Sequence, residues 1–358
     1  MGIYARGALR RAKALAGVAT GAVRSRAGRG TRRTIAAKNA EISALKRELA
    51  RGGGDGAVAA ETPVFFVVGQ QKSGTTWLMR MLDAHQEILC RGEGRFFGAG
   101  WRQKSLVKSD EMRPPSSLLY ALREAEYLRL WVERSVWSRN DDADEHLDNL
   151  ARMAVDYFLR GELAKTGKRL VGDKSPLLTP ETVEEISAVY PEARLIHIIR
   201  DGRDAAVSAA HHARNFGRAR EKEGGDGLFE PAQIRKLAAD WNARVGRAVE
   251  DGPRLFGDRY AEVRYEGLLA RPEEEMARLL RFMGAAADER SVGRCVGAAN
   301  FERLSKGRTR GEEDPSSFFR KGVAGDWKDA FTGRDRRVFE EEAGSLLEKL
   351  GYGETGDA

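Results

Sequence analysis

Two cysteines in 358 residues are too few for the disulfide framework of a small secreted domain, and Cys90 and Cys295 lack metal-ligand spacing. They fit a reducing, cytoplasmic compartment. Nothing approaches the 18 or more consecutive apolar residues that a membrane-crossing helix needs. The most apolar early stretch, Ala14 to Val23, is broken by glycine and threonine. It follows Arg10, Arg11 and Lys13 but is rich in small residues rather than leucine, which argues against a secretory or twin-arginine signal. The opening Met1-Gly-Ile-Tyr-Ala-Arg6 lacks the serine or threonine at position six that would suggest N-myristoylation. Histidine is also scarce. His85, His146, His197, His211 and His212 form no motif; His85 and His197 read as structural, and the His211-His212 pair as an edge of a cleft.

What is present is a globular composition, 41% hydrophobic, in a chain long enough to bury a sizeable core. The net charge of +7 is unevenly spread. Residues 1–56 carry 13 Lys+Arg against 3 Asp+Glu, or +10, which leaves 61 − 13 = 48 against 54 − 3 = 51, or −3, for residues 57–358. The basic, Gly/Ala-rich arm of 1–56 reads as a solvated, partly helical or disordered leader. An anionic membrane surface is the partner it would touch peripherally, and nucleic acid is not expected. Within it, residues 34–50 carry Ile35, Ile42, Leu45 and Leu49 at heptad-like spacing, enough for a weak homo-oligomer contact and too short for a coiled coil. The breaker Arg51-Gly-Gly-Gly-Asp-Gly56 sets a domain boundary near residue 57.

Beyond it, Val64-Phe-Phe-Val-Val68 has the apolar, β-rich character of a strand buried in a parallel sheet. A Gly-rich turn and a helix over Thr75 to His85 follow. Further strands are expected at Arg169–Val171, Leu195–Ile199 and Tyr260–Arg264, between helices near 116–137, 147–164, 181–190, 202–214 and 231–250. Such alternation predicts an α/β fold, a parallel doubly wound sheet with helices on both faces. The charged, Gly-rich segment Asn215 to Glu230 reads as a long surface loop over the active site.

A loop between a buried strand and a helix offers backbone N–H groups and the positive end of a helix dipole to a phosphate or sulfate. Gly69 and Gly74 keep the spacing of a nucleotide-triphosphate loop, but Thr75 stands where its lysine belongs, and the lysine is at Lys72. That displacement weighs against a kinase or nucleotide hydrolase. The other alternative is a non-catalytic protein that binds membrane or nucleic acid through its arm.

Gln71-Lys-Ser-Gly-Thr-Thr-Trp-Leu78 resembles the first motif of the sulfotransferase superfamily. The resemblance implies a P-loop-like site for the 5′-phosphosulfate of 3′-phosphoadenylyl sulfate, the donor co-substrate, with adenosine 3′,5′-bisphosphate as product and no metal. Carried over, Lys72 contacts the bridging oxygen and leaving group, Ser73, Gly74, Thr75 and Thr76 cradle the phosphate, Gln71 takes the place of the usual proline, and Trp77 stacks near the adenine. Arg200-Asp-Gly-Arg-Asp-Ala-Ala-Val-Ser208 resembles the second motif, an arginine at a strand end and a serine eight residues on. It implies that Arg200 and Ser208 hold the 3′-phosphate, for which a guanidinium offers a bidentate fork. Phe319-Arg-Lys-Gly-Val-Ala-Gly-Asp-Trp-Lys328 resembles the C-terminal motif, which makes Arg320, Lys321 and Gly322 donor contacts. Tyr265 resembles a family position near the nucleotide.

Sulfonyl transfer needs an in-line approach, positive charge on the leaving group and a base for the acceptor proton. Lys72 is the candidate electrophilic stabiliser and leaving-group acid, and Lys174, in Gly172-Asp-Lys-Ser-Pro176, a second lysine facing the site. Pro176 occupies the place of the catalytic histidine of cytosolic small-molecule sulfotransferases. Glu93-Gly-Arg-Phe-Phe97 is similar to the glutamate segment of glycosaminoglycan and protein-tyrosine sulfotransferases, which makes Glu93 the candidate base and Arg95 its neighbour. The acceptor this implies is a hydroxyl or amine, on a carbohydrate, a lipid-linked molecule or another polar metabolite. Trp101, Trp131 and Trp137 are candidates for stacking on a sugar, although aromatics at helical spacing more often belong to a core.

Overall fold

The computed structural model describes residues 63–98, 117–177, 179–215, 228–314 and 316–353. The basic arm, the helix expected over 34–50, the boundary near 57, Trp101 and most of the loop at 215–230 lie outside them.

Five strands form one sheet: β1 (Val64–Gly69), β2 (Ile88–Gly92), β3 (Leu170–Pro176), β4 (Arg194–Ile199) and β5 (Tyr260–Arg264), in the order β2-β3-β1-β4-β5, all pairs parallel. The central strand β1 is buried along its whole length, which is why its sequence is continuously apolar rather than alternating. Successive side chains feed opposite layers. Phe66 and Val68 join one core, Phe65 and Val67 another.

The helices, in chain order, are α1 (Thr75–Asp83), α2 (Leu118–Arg123), α3 (Glu126–Arg134), α4 (Ala143–Leu163), α5 (Thr182–Val189), α6 (Gly202–Asn215), α7 (Pro231–Phe256), α8 (Tyr265–Ala270), α9 (Pro272–Met283), α10 (Glu289–Ala298), α11 (Phe301–Leu304), α12 (Trp327–Ala330) and α13 (Gly333–Lys349). Helices α2, α4, α5 and α7 cover the Phe66 face; α1, α8, α9 and α10 cover the Phe65 face. A third core, centred on Trp241, Trp327 and Phe339, joins α6 and α7 to α12 and α13. Each large apolar side chain buried in this way stabilises the fold by roughly 1.5–3 kcal/mol. Helices therefore pack both faces of a parallel sheet, as the alternating pattern predicts.

The local differences have plain causes. β3 runs on through Pro176, well past the expected Val171, because the polar Asp173, Lys174 and Ser175 are buried with partners of their own. Strand β2 was not expected; only Ile88, Leu89 and Cys90 are apolar and buried, and Arg91 and Gly92 are exposed. The pattern over 116–137 divides into α2 and α3. Helix α7 continues to Phe256 with Pro253 inside it. No helix among the described residues is long and apolar enough to cross a membrane. Both cysteines are buried and unpaired.

Candidate functional site

The turn from β1 into α1 is built from unusual backbone. Ser73 N–H donates to Gln70 O at 3.1 Å, while Lys72 and Gly74 take φ of 73° and 91°. At Gly74 a side chain is excluded twice over, by the left-handed φ and by the Tyr265 ring, 2.7 Å from where a Cβ would sit. Gly74 also caps α1 with no side-chain acceptor, so the first-turn N–H groups of the helix have no side-chain cap. That is the local arrangement an anion binds.

These groups open into a cleft of about 850 Å³, part of it open solvent. Its lining combines Lys72, Gly74, Thr75, Thr76 and Trp77 with Arg200 just after β4, Ser208 on α6, Tyr265 at the start of α8, and Arg320, Lys321 and Gly322 of the closing segment. Eleven of the thirteen expected donor residues thus share one cleft. The other two do not line it: Gln71 is exposed, and Ser73 is fully buried with an Oγ that has no hydrogen-bond partner among the described residues.

The cations in the cleft are held by protein groups. Arg200 donates to Lys72 O (3.2 Å) and Val323 O (3.0 Å), approaches Asp204 at 3.5 Å and lies over the Tyr265 ring at 4.2 Å. It thereby ties the donor loop to the closing segment, rather than presenting an open fork. Arg320 pairs with Glu313 (2.5 Å) and with Asp326, and Lys321 with Asp326 at 2.5 Å. Burial alone would raise the Asp326 pKa; the bonds from Lys321 and Arg320 outweigh it, and the carboxyl titrates below its ordinary range. The Nε atoms of Arg200 and Arg320 are buried without partners among the described residues. Unpartnered buried donors and an uncapped helix start fit a polyanionic ligand.

Aromatic side chains frame the cations. Trp77 donates from Nε1 to Ala299 O at 2.9 Å and meets Tyr265 edge to face at 5.6 Å. Lys72 Nζ lies 4.7 Å from the centre of the Phe318 ring, and Arg80 packs over Phe319.

Glu93 and Lys174 meet each other outside the lining of this cleft. Lys174 is nearly buried on β3, one strand from the donor loop, and its Nζ donates to Glu93 Oε1 at 2.5 Å. The Glu93 side chain is 57% exposed. Its backbone is left-handed, φ 61°, and is fixed by Glu93 N–H to Lys174 O and Gly94 N–H to Asp173 Oδ1, both 3.0 Å. Arg95 is also left-handed, at φ 52°.

Other expectations divide. His85 is buried and bonded to Ala286 O, and His197 is buried against Tyr260. His212 packs on Phe318, which lines the cleft. Trp131, on α3, and Trp137, in the turn that follows it, are 61% and 87% exposed, so the core reading of these two is corrected. Sequence reasoning missed Arg310, Phe301, Phe318 and Phe319 in the lining. It also missed Asp204, whose carboxylate accepts from Gly325 N–H (2.8 Å) and Trp327 N–H (3.0 Å). The available signal was proximity: Asp204 stands inside the Arg200 to Ser208 motif.

A sequence model described as Sulfotransferase family matches residues 63–289, well over half of the chain. Among curated proteins, the chain is 25% identical over 255 residues to protein-tyrosine sulfotransferase A of Caenorhabditis elegans, covering 68% of this chain and 57% of that protein. It is 23% identical over 269 residues to protein-tyrosine sulfotransferase 2 of Gallus gallus, covering 69% and 63%. The chain thus spans less than two thirds of the length of these relatives. Among solved structures it is similar to mouse sulfotransferase SULT7A1 complexed with PAP, at a TM-score of 0.49 and 18% identity, over 83% of this chain and 88% of that one.

Proposed function

This chain belongs to the sulfotransferase family, and from that premise we propose that it transfers a sulfonyl group from 3′-phosphoadenylyl sulfate to an acceptor hydroxyl or amine. The observation that carries the reading is the convergence, in one cleft, of an uncapped helix N-terminus, Lys72 inside the preceding loop and the basic segment Arg320 to Gly322. Two anionic ends of one nucleotide suit these two ends of the cleft.

The acceptor oxygen attacks sulfur as the bond from sulfur to the 5′-phosphate oxygen breaks. The leaving electron pair stays on that oxygen, where Lys72 and the first-turn N–H groups of α1 offset its charge. Glu93 takes the acceptor proton on its carboxylate, with Lys174 positioning it through their 2.5 Å bond.

The finer reading of the acceptor is a hydroxyl on a carbohydrate or lipid-linked molecule; the named activity of the relatives offers the tyrosine phenol as its competitor. The same reading keeps the protein in the cytoplasm, with the arm of 1–56 as a device for peripheral contact with anionic membrane and 34–50 as a weak self-association segment.

The test combines binding and turnover. The purified chain is expected to bind adenosine 3′,5′-bisphosphate in calorimetry and to move radiolabelled sulfate from the donor onto one member of an acceptor panel of sugars, glycolipids and tyrosine peptides. Absence of bisphosphate binding overturns the donor assignment; label on the tyrosine peptides alone overturns the carbohydrate reading and leaves the donor assignment standing.

A further inference from the structure

Nine large hydrophobic side chains stand exposed among the described residues, and eight of them fall in one stretch of chain between Tyr127 and Phe158; the ninth is Phe318, at the donor cleft. Exposed apolar residues scattered singly need no explanation, but a cluster of this size marks an interaction surface.

Helix α4 shows how the cluster arises. Leu147, Ala151, Val155, Leu159 and Leu163, each four residues from the last, form its buried stripe. A second stripe, Met153, Tyr157 and Phe158, is 67%, 76% and 53% exposed. This stripe leads to the loop that carries Glu93. Phe158 stacks on Phe96 with ring centres 6.5 Å apart, and Tyr157 meets Phe158 edge to face at 5.4 Å. Arg95 O accepts from Leu118 N–H at 2.9 Å and Phe96 O from Leu119 N–H at 3.1 Å, which fixes the loop to α2, and Arg123 of α2 donates to Asp148 of α4 at 2.6 Å. Glu93 and the apolar stripe therefore belong to one braced unit. Helix α3, bound to α4 through Arg129 and Asp144, adds Tyr127, Leu130 and Trp131, which share one of its faces and are exposed.

Charge decides what such a surface can meet. Residues 117–163 carry six Arg, no Lys and ten Asp+Glu, or −4, which disfavours anionic lipid and nucleic acid. Helix faces are convex, and Tyr and Trp have amphipathic rings that settle at headgroup depth. The match is an uncharged lipid surface, whose hydroxylated headgroups would approach the Glu93 loop while Met153, Tyr157 and their neighbours enter the apolar layer.

We infer that the exposed faces of α3 and α4 dock on a neutral lipid surface, and that the acceptor is an uncharged, hydroxyl-bearing amphiphile held there by its apolar body, rather than a free sugar or a peptide. The inference rests on the reading of Glu93 as the base.

Flotation of the full chain with phosphatidylcholine vesicles tests the surface. The wild type is expected to float with them, and the double variant Met153→Ser, Tyr157→Ser to partition at least about tenfold less. Binding of adenosine 3′,5′-bisphosphate should be unchanged in that variant, because neither residue lines the donor cleft. Radiolabelled sulfate should pass to a neutral glycosyl diacylglycerol in those vesicles at least about tenfold faster than to the same sugar free in solution. No flotation of the wild type, or equal flotation of the variant, overturns the docking surface. Equal transfer to the free sugar, or label on tyrosine peptides alone, overturns the acceptor class. A dimer that the double substitution dissolves, seen in sedimentation, assigns the face to a second copy and overturns the inference. Flotation does not involve Glu93, so a wild-type rate in Glu93→Gln overturns the base reading separately.

Discussion

Glu93 and His197 show how single side chains carry the argument. Glu93 holds a left-handed backbone that costs a non-glycine residue roughly 1–2 kcal/mol, and two hydrogen bonds donated by the N–H groups of its loop to acceptors on β3 hold it there. Strain of this kind, together with a buried lysine on the carboxylate, suits a group whose position matters to chemistry. Glu93→Gln should lower the transfer rate about 100-fold or more with bisphosphate affinity unchanged. A rate within about threefold of wild type would remove Glu93 from the role of base. His197 is different in kind. Tyr260 donates its proton to Glu262, so His197 donates from Nδ1 to the phenol oxygen and leaves Nε2 as a buried lone pair without a partner. Burial, helped by Arg264, holds its pKa down to about 3, against the ordinary 6.5. Between those values the unfolded chain binds the extra proton, so stability is lost as pH falls through that window, by about 1.4 kcal/mol per unit. Urea melts from pH 7 to pH 4 should show that slope in the wild type and a shallower one in His197→Gln.

At the scale of elements, the closing segment from Arg320 to Trp327 depends on α6. Asp204, in the first turn of α6, accepts from two backbone N–H groups of that segment and is 1% exposed. Removing the carboxylate in Asp204→Ala strands two donors, at roughly 1–3 kcal/mol each. The expected outcome is a lower urea midpoint together with weaker bisphosphate binding, since the cations that face the cleft lose their support. A variant with a wild-type melt and wild-type affinity would show that the segment closes without Asp204. Elements were legible in the sequence where apolar residues ran together: β1, β4, β5, α1 and α6 lie within two residues of expectation. β2 and the second half of β3 were not, because Arg91, Gly92, Asp173, Lys174 and Ser175 look like loop residues. Asp173 is satisfied by Ser175 and Gly94, and Lys174 by Glu93, partners that lie beside them only once the sheet has formed.

At the scale of the molecule, one sheet with helices on both faces puts the loop after β1, the ends of β3 and β4 and the start of α8 on the same edge, the usual place for ligands in a parallel sheet. The order of the strands brings Lys72 next to Arg200 across 128 residues of chain. The amino-acid sequence by itself determined the class of fold, through apolar runs alternating with amphipathic ones, and made the motifs that resemble the family's legible, because their glycines, lysine and arginine stand at fixed spacing in short contiguous segments. Only the tertiary structure decided which cations carry carboxylate partners and that Trp131 and Trp137 face outward. Those properties belong to contacts between distant segments, and their strength is set by burial and by neighbouring charge rather than by local propensity.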